Sequence, residues 1–220
     1  MNEQQEDALS PVFDAQWGEI GDTHRAYVER FLSKLPVGGR VLDAACGTGK
    51  YFATVLATGR SLLGVDHSAG HLARARSEFP DVLTEKRDLQ DLPYREEFDG
   101  VMCVDAMEMV PPEDWPVVLG RFRRALRPGG WLYLTVERVP AGRVREVNEE
   151  ARRSGLPVVE GEVMWLEPEG SVYHHYPTME QVRAWFVAAG FAVQEEAEGP
   201  WHDEGYAYHH VLARVEAPPG

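Results

Sequence analysis

The segment Val41–Tyr51, which reads V-L-D-A-A-C-G-T-G-K-Y, decides the fold of this 220-residue chain. Its apolar beginning is typical of a buried β-strand, which we predict to end at Asp43. Gly47 and Gly49 then allow a tight turn, because glycine accepts positive φ and lets a ligand approach the backbone closely. The following residues, Lys50–Ala57, predict a helix whose N-terminal N–H groups face a ligand bound at the turn.

A second acidic residue supports a binding site at this turn. The apolar run Leu62–Val65 predicts the next strand and is followed by Asp66, 17 residues after Gly49. An acidic side chain in this position is suited to accept hydrogen bonds from ribose hydroxyl groups. We therefore expect a nucleoside-containing cofactor on the first half of an open α/β sheet, in contact with Asp66 and its neighbour His67.

Three kinds of glycine loop share this strand–turn–helix pattern. A phosphate-binding P-loop needs a glycine five residues before the Gly-Lys pair and Ser or Thr after it, but Ala44 and Tyr51 occupy these places. The dinucleotide pattern G-x-G-x-x-G needs a small third residue, where this chain has Phe52. The bulky Phe52 therefore argues against a nicotinamide oxidoreductase, and so does the absence of a Tyr-x-x-x-Lys catalytic pair. Neither observation excludes that class of enzyme.

The third kind is the S-adenosylmethionine loop. Val41–Gly49 resembles motif I of the class I methyltransferases, with Ala45 in the first of three alternate glycine places. Two later segments match that family in the same order. Arg87–Leu89 resembles its acidic motif after the third strand, and Leu126–Gly130, which reads L-R-P-G-G, resembles the turn before its fifth strand.

The resemblance implies both a fold and a cofactor. The fold is a doubly wound α/β domain with a mostly parallel seven-stranded sheet, helices on both faces and an antiparallel last strand. The cofactor is S-adenosylmethionine, with S-adenosylhomocysteine as the product. The residues expected to bind the cofactor are Asp43, Ala45, Gly47, Gly49, Asp66, His67, Asp88, Leu89 and Asp105. A protein that binds this cofactor without turnover would keep the same residues, so that alternative also stays open.

The reaction implied by the resemblance is transfer of a methyl group to an N or O atom of a small molecule by in-line displacement. The predicted fourth strand, Phe98–Val104, leads into the Asp105 region, where Glu108 lies at a position that lines cofactor and substrate in the family. His174 and His175 lie in a predicted loop and are further candidates for a general base. The chain lacks the Asn/Asp-Pro-Pro-aromatic motif with which related enzymes methylate nucleic-acid amines.

Composition excludes several classes of partner. The formal net charge is −14, and the first 22 residues carry six carboxylates without Lys or Arg, which disfavours nucleic acid as a partner. No run approaches the roughly 20 apolar residues of a membrane span, and Met1–Ser10 is too polar for a signal peptide. Two distant cysteines suggest a reducing cytoplasm, and the adjacent histidine pairs lack metal-ligand spacing. We expect a cytoplasmic protein with a small-molecule substrate and no metal, either a monomer or a homodimer.

We predict a single methyltransferase domain over residues 1–220. Its parts are an N-terminal lid and helix (1–39), a cofactor-binding core (40–136), a variable substrate cap (137–176) and a last helix with a strand pair (177–220). The candidate lid residues are Phe13, Trp17 and Tyr27. The strand pair, Phe191–Glu196 and Tyr206–Val215, is expected at the sheet edge and joined by a loop that begins at Gly199–Trp201.

Overall fold

The computed structural model describes residues 18–156, 158–159, 161–167, 170–201 and 206–216. Within them, the helices are α1 (Asp22–Lys34), α2 (Phe52–Leu56), α3 (Ala69–Glu78), α4 (Trp115–Ala125), α5 (Ala141–Arg153) and α6 (Met179–Ala188). The strands are β1 (Arg40–Ala44), β2 (Ser61–Asp66), β3 (Leu83–Lys86), β4 (Phe98–Cys103), β5 (Leu126–Arg138), β6 (Glu162–Glu167), β7 (Gly170–His175), β8 (Phe191–Trp201) and β9 (Tyr206–Val215). Phe13 and Trp17, two of the predicted lid residues, lie outside the described residues.

Seven strands form one sheet in the order β3-β2-β1-β4-β5-β9-β8. The strands from β1 to β5 pair in parallel, whereas β9 is antiparallel to both of its neighbours. This confirms the predicted seven-stranded, mostly parallel sheet with an antiparallel last strand. Because β1 lies between β2 and β4, the strand order reverses there, and ligands of open α/β sheets bind at the carboxyl ends of such strands.

Helices cover both faces of the sheet with two separate apolar cores. Helices α1, α2 and α3 pack on one face, where Phe31, Phe52 and Tyr133 are buried. Helices α4 and α6 pack on the other face, where Trp115 and Phe186 are buried. No helix among the described residues combines the length and apolarity needed to cross a bilayer.

Strands β8 and β9 form the predicted antiparallel pair at the sheet edge, with β9 next to β5 and β8 outermost. Strand β8 also runs on to Trp201, which places Gly199–Trp201 in a strand instead of the predicted loop. The extension is possible because its whole length pairs with β9.

The predicted turn at Leu126–Gly130 is a bulge within a longer strand. Phe98 of β4 pairs with Leu126, but Gly100 pairs with Trp131, so four residues of β5 lie opposite one residue of β4. The bulge is closed by Gly129, which has φ 76°.

A helix and a hairpin follow the fifth strand. Helix α5 precedes β6 and β7, which pair with each other in a separate antiparallel ribbon. The predicted loop around His174 and His175 is therefore the end of strand β7. Their side chains consequently point to opposite sides of the ribbon.

Candidate functional site

The glycine turn after β1 curves through three residues in the left-handed region. Ala45, Gly47 and Gly49 have φ values of 64°, 54° and 92°. The turn is fixed to the next strand because the backbone N–H of Cys46 donates to the carbonyl of Val65 at 2.9 Å. The N–H of Gly49 donates to the carbonyl of Cys46, and the N–H of Gly47 donates to a side chain of β2, so the turn is held rigidly and lets a ligand approach its backbone closely.

Phe52 occupies the place where a dinucleotide loop needs a small residue, and the structure accommodates its ring. A Cβ added to Gly49 would lie 2.9 Å from Cδ2 of Phe52, and one added to Gly64 of β2 would lie 2.5 Å from its Cζ. The ring therefore fills the space left by two glycines. Helix α2 approaches the sheet through this contact instead of through a third glycine.

Asp66 at the end of β2 holds the turn in shape. Its Oδ2 accepts a hydrogen bond from the N–H of Gly47 at 2.8 Å, and its Oδ1 accepts one from the N–H of Ser68 at 2.8 Å. The hydroxyl of Ser68 in turn accepts from the N–H of His71, which caps α3. His67 is half-buried between Asp66 and this cap. The predicted ribose-binding carboxylate is thus fixed in position next to the glycine turn.

Asp43 is a buried carboxyl group directly beneath the turn. It is 1% exposed, and its Oδ2 has no hydrogen-bond partner among the described residues. Burial, together with the nearby charge of Asp66, raises its pKa to about 8. A buried carboxyl oxygen without a partner is costly, so a donor or cation bound here would be stabilising.

Asp88 and Leu89 follow β3 at the same end of the sheet. Asp88 is exposed at the start of a 3₁₀ turn, and Leu89 is half-buried against the core. The preceding N–H of Arg87 donates to the carbonyl of Asp66 at 2.9 Å, which keeps this segment beside the end of β2.

Asp105, just after β4, joins the turn to helix α1. Its carboxylate accepts from Nε2 of His24 at 2.9 Å and lies 3.4 Å from Nζ of Lys50. Burial opposes ionisation of Asp105, but the hydrogen bonds and charges of His24 and Lys50 outweigh burial and lower its pKa. Asp105 has φ 55°, and its N–H donates to the hydroxyl of Thr135 at 2.8 Å.

Glu108 lies in the 3₁₀ turn Met107–Met109 that follows β4. It is 6% exposed, and its Oε2 has no hydrogen-bond partner among the described residues. Burial, together with the charges of Glu137 and Asp105, raises the pKa of Glu108 well above its usual range.

His174 faces the same region from the hairpin. Its Nδ1 lies 3.2 Å from Oε2 of Glu137 and 2.8 Å from the hydroxyl of Tyr176. That hydroxyl also accepts a hydrogen bond from Nε1 of Trp165 at 2.9 Å. The hairpin therefore contacts the carboxyl end of β5 through a histidine and a carboxylate.

His175 points the other way and packs among tryptophans. It is 3% exposed, and its ring centroid lies 6.3 Å from that of Trp115 and 6.2 Å from that of Trp185. Burial lowers its pKa, against the opposing charge of Glu113. The structure thus places His174 beside Glu137, and His175 on the opposite side of β7.

Two residues of this site were missed by the sequence analysis. Glu137 ends an apolar strand, and the rule that singled out Asp105 at the end of β4 applies to it as well. His24 carries no comparable signal, because it meets Asp105 across 81 residues of sequence.

The turn fits the cofactor that the sequence resemblance implies. S-adenosylmethionine carries an ammonium and a sulfonium, and the unpartnered buried oxygen of Asp43 is suited to a cation or hydrogen-bond donor. The left-handed turn lets a ligand approach the backbone closely, and Asp66 lies beside it, as a nucleoside requires.

Comparisons with known proteins agree with this geometry. Residues 41–130 match the family described as a methyltransferase domain. A demethylmenaquinone methyltransferase of Mycobacterium sp. (strain KMS) is 32% identical over 164 residues, which cover 74% of this chain and 67% of the relative. The dTDP-3-amino-3,6-dideoxy-alpha-D-glucopyranose N,N-dimethyltransferase of Streptomyces fradiae is 26% identical over 190 residues, covering 75% and 74% of the two chains.

Other relatives match over a smaller share of their length. A tRNA (carboxymethyluridine(34)-5-O)-methyltransferase of Arabidopsis thaliana is 30% identical over 136 residues, which cover 59% of this chain and only 31% of that protein. Among solved structures, an S-adenosylmethionine-dependent methyltransferase of Methanosarcina mazei has the same fold, with a TM-score of 0.73 and 16% identity. That alignment covers 84% of this chain and 96% of the other. The chain therefore belongs to the class I S-adenosylmethionine-dependent methyltransferases.

Proposed function

We propose that this methyltransferase transfers the methyl group to an N or O atom of a small molecule bound at the carboxyl ends of β4 and β5. The observation that carries this proposal is Oε2 of Glu108, which is buried, has no hydrogen-bond partner among the described residues and lies in a turn that contacts β5 and β7. Membership of this family argues against the two alternatives, an oxidoreductase and a non-catalytic binding protein, because the relatives are named as methyltransferases.

A small-molecule acceptor is favoured over nucleic acid. The Streptomyces and Mycobacterium relatives are named for an amino-sugar nucleotide and a demethylmenaquinone, and each alignment covers two thirds or more of the relative. The tRNA enzyme matches over less than a third of its length. A net charge of −14 also repels phosphate backbones.

We propose that the predicted cofactor residues bind S-adenosylmethionine as follows. The bound cofactor supplies an electrophilic methyl carbon, and Asp66 would hold the ribose hydroxyls while Asp88 and Leu89 contact the adenine. Asp43 and the backbone of Ala45, Gly47 and Gly49 would hold the methionyl end. His67 and Asp105 complete the wall of the cofactor site.

The three predicted catalytic residues divide into two groups. We assign Glu108 and His174 to the acceptor site, because the charge of Glu137 acts on Glu108 and Glu137 lies 3.2 Å from His174. They would orient the acceptor and take up its proton. His175 is assigned to packing between Trp115 and Trp185.

The test is methyl transfer from S-adenosylmethionine, measured as release of S-adenosylhomocysteine. The acceptors are a library of amines, phenols, alcohols and carboxylates, with bulk tRNA and denatured protein in parallel. We expect turnover with small molecules and none with tRNA, and loss of turnover in Asp66→Ala. Turnover confined to tRNA or to protein would contradict the proposal.

A further inference from the structure

Three carboxyl groups converge at the proposed acceptor site, and we call them the acidic cluster: Asp105, Glu108 and Glu137. Asp105 and Glu108 follow β4, and Glu137 lies near the end of β5. The 3₁₀ turn Met107–Met109 that carries Glu108 contacts β5. The hydroxyl of Thr135 accepts the N–H of Asp105, and Glu137 is two residues farther along β5, so its side chain lies on the same face of the sheet.

The positive charges around the cluster are unevenly distributed. Asp105 has His24 and Lys50 as partners, and Glu137 has His174. Glu108 is the third member, with an oxygen that is buried and has no hydrogen-bond partner among the described residues. Burial and the other two carboxylates raise the pKa of Glu108, so the cluster retains a proton in the ligand-free protein. A bound cation could replace this proton, because it would compensate the same negative charge.

Aromatic rings stand beside these carboxyl groups. Tyr208 of β9 pairs directly with Glu137 of β5 in the ladder, so their side chains lie on the same face. The ring of Tyr208 also packs edge-on against His24, the partner of Asp105, with ring centroids 4.9 Å apart. Burial raises the pKa of Tyr208, and the charges of Asp105, Glu108 and Glu137 act in the same direction. Tyr51 is buried nearby, and its hydroxyl has no hydrogen-bond partner among the described residues.

Carboxylates combined with aromatic faces form an environment that favours ammonium groups. The carboxylates compensate the charge, and the rings attract the cation through their negative faces while accommodating its alkyl groups. A neutral hydroxyl brings no charge to the cluster and gains little from the rings. An anionic acceptor would be repelled by three carboxyl groups.

We propose that the acceptor of this enzyme is an amine, bound as an ammonium at the acidic cluster with Glu108 as the group that takes up its proton. This inference rests on the proposed small-molecule methyl transfer and specifies its substrate class. When the ammonium binds, the proton held by the ligand-free cluster leaves to solvent. The Glu108 carboxylate then takes one proton from the ammonium, and the freed nitrogen lone pair forms the C–N bond. The C–S bond breaks with its electron pair remaining on sulfur. The methylated amine and the thioether leave, and Glu108 keeps the proton that the ligand-free cluster holds.

The proposal separates the roles of the cluster members. Glu108 is the catalytic residue, because it receives the proton of the nucleophile. Glu137 is a positioning residue, which holds the ammonium through its charge and fixes the ring of His174. Loss of Glu137 should therefore weaken acceptor binding, whereas loss of Glu108 should also reduce the rate at saturating acceptor.

The first measurement is binding to the protein saturated with S-adenosylhomocysteine, followed by ligand-observed NMR. The probes form a matched set of similar shape and different charge: phenethylamine, 2-phenylethanol and phenylacetate. We expect the amine to bind about tenfold or more tightly than the alcohol, and the carboxylate to bind most weakly. Glu108→Gln and Glu137→Gln should each reduce this amine preference severalfold.

The control variant is Glu146→Gln. Glu146 is an exposed residue of α5, so the substitution removes one negative charge at a position outside the cluster. It should keep the wild-type preference for the amine. Each variant is also titrated with S-adenosylhomocysteine, so a loss of acceptor binding is distinguished from a failure to fold. Equal binding of the three probes, no binding of any, or an amine preference that survives both cluster substitutions would overturn the proposal.

Turnover distinguishes this inference from the broader function. Methylation of alcohols or phenols with no amine methylated would overturn the amine assignment and leave small-molecule methyl transfer intact. Transfer to tRNA or protein alone would contradict the proposed function itself. Methylation of amines, with kcat reduced in Glu108→Gln and mainly KM increased in Glu137→Gln, would support both.

Discussion

Among single residues, Asp43 gives the ligand-free protein a distinct dependence on pH. Its pKa is about 8 in the folded protein, compared with an ordinary value of 3.8. The folded state therefore holds a proton that the unfolded chain releases between these values. The stability from this proton is fully present below pH 4 and is lost as pH rises through 8.

We predict that Asp43→Asn flattens the dependence of stability on pH. One proton difference corresponds to about 1.4 kcal/mol in the free energy of unfolding for each pH unit. The wild type should lose stability between pH 5 and pH 8 with a slope of this size, and the variant should lose less. Urea unfolding at several pH values measures both slopes.

Glu108 must be considered in the same experiment, because its pKa is shifted in the same direction. A parallel series with Glu108→Gln separates the two contributions. Asp81→Asn, at an exposed position, serves as the control. Equal slopes in the wild type and in Asp43→Asn would show that Asp43 is not protonated in the folded state.

At the scale of the elements, the contact between α2 and β2 depends on Gly64. A Cβ there would lie 2.5 Å from Cζ of Phe52 and 2.9 Å from Sγ of Cys46. We predict that Gly64→Ala destabilises the protein by about 2 kcal/mol or more, because Phe52 is fully buried and has no space to move into. Thermal or urea unfolding measures the loss.

Gly59 provides the comparison for this substitution. It has φ +74°, and a Cβ there would meet no heavy atom within 4 Å, so Gly59→Ala introduces backbone strain without a clash. It should cost about 1 kcal/mol. A Gly64→Ala variant as stable as the wild type would show that Phe52 repacks freely.

The start of helix α6 allows a second prediction for an element. Thr178 accepts from the N–H of Gln181, and the Gln181 side chain accepts from the N–H of Thr178, which forms a capping box. Thr178→Ala should lower the free energy of unfolding by about 1 kcal/mol. Glu180→Gln in the same turn should lower the free energy of unfolding by only a few tenths of a kcal/mol. A larger loss in Glu180→Gln than in Thr178→Ala would contradict the role of Thr178 as the cap.

The elements differ in how far their sequence determined them. Local sequence determines helix α3, because Ser68 caps its start and Pro80 follows its end. The hairpin β6–β7 was missed, because its strands pair with each other outside the main sheet and the His174-His175 segment carries no alternating apolar pattern. The antiparallel pair β8–β9 was predicted, but its order was not, since either strand could lie next to β5 and only packing across β5 decides between them.

For the whole molecule, helix α1 connects the N-terminal segment to the site. His24 is fully buried, bonds to Asp105 and packs its ring edge-on against Tyr208 and His210. Arg30 and Lys34 of the same helix pair with Glu195 of β8. One helix thus contacts the ends of β4, β8 and β9. The glycine turn could be predicted from the sequence. The contacts of α1 with these strands could not, because they join residues far apart in the chain.

We predict that His24→Ala weakens both the fold and the cofactor site. Removing a buried ring and the partner of a buried carboxylate should cost about 2–4 kcal/mol. The affinity for S-adenosylhomocysteine should fall, because Asp105 loses the bond that fixes it. Urea unfolding, cofactor titration and hydrogen exchange of α1 measure these effects.

Arg25→Ala, at an exposed position on the same helix, is the matched control and should behave as the wild type. If His24→Ala kept full stability and full cofactor affinity, α1 would be a covering helix without a role in the site.

Strand β9 has a consequence for how the molecule is made. It is inserted between β5 and β8 although it follows both in the chain. During translation, β5 and β8 have no partner on their facing edges until residues 206–215 leave the ribosome tunnel. Until then the nascent chain exposes open sheet edges, and such edges favour association with other chains. Protection by ribosome-associated chaperones would therefore matter most before β9 is available for pairing.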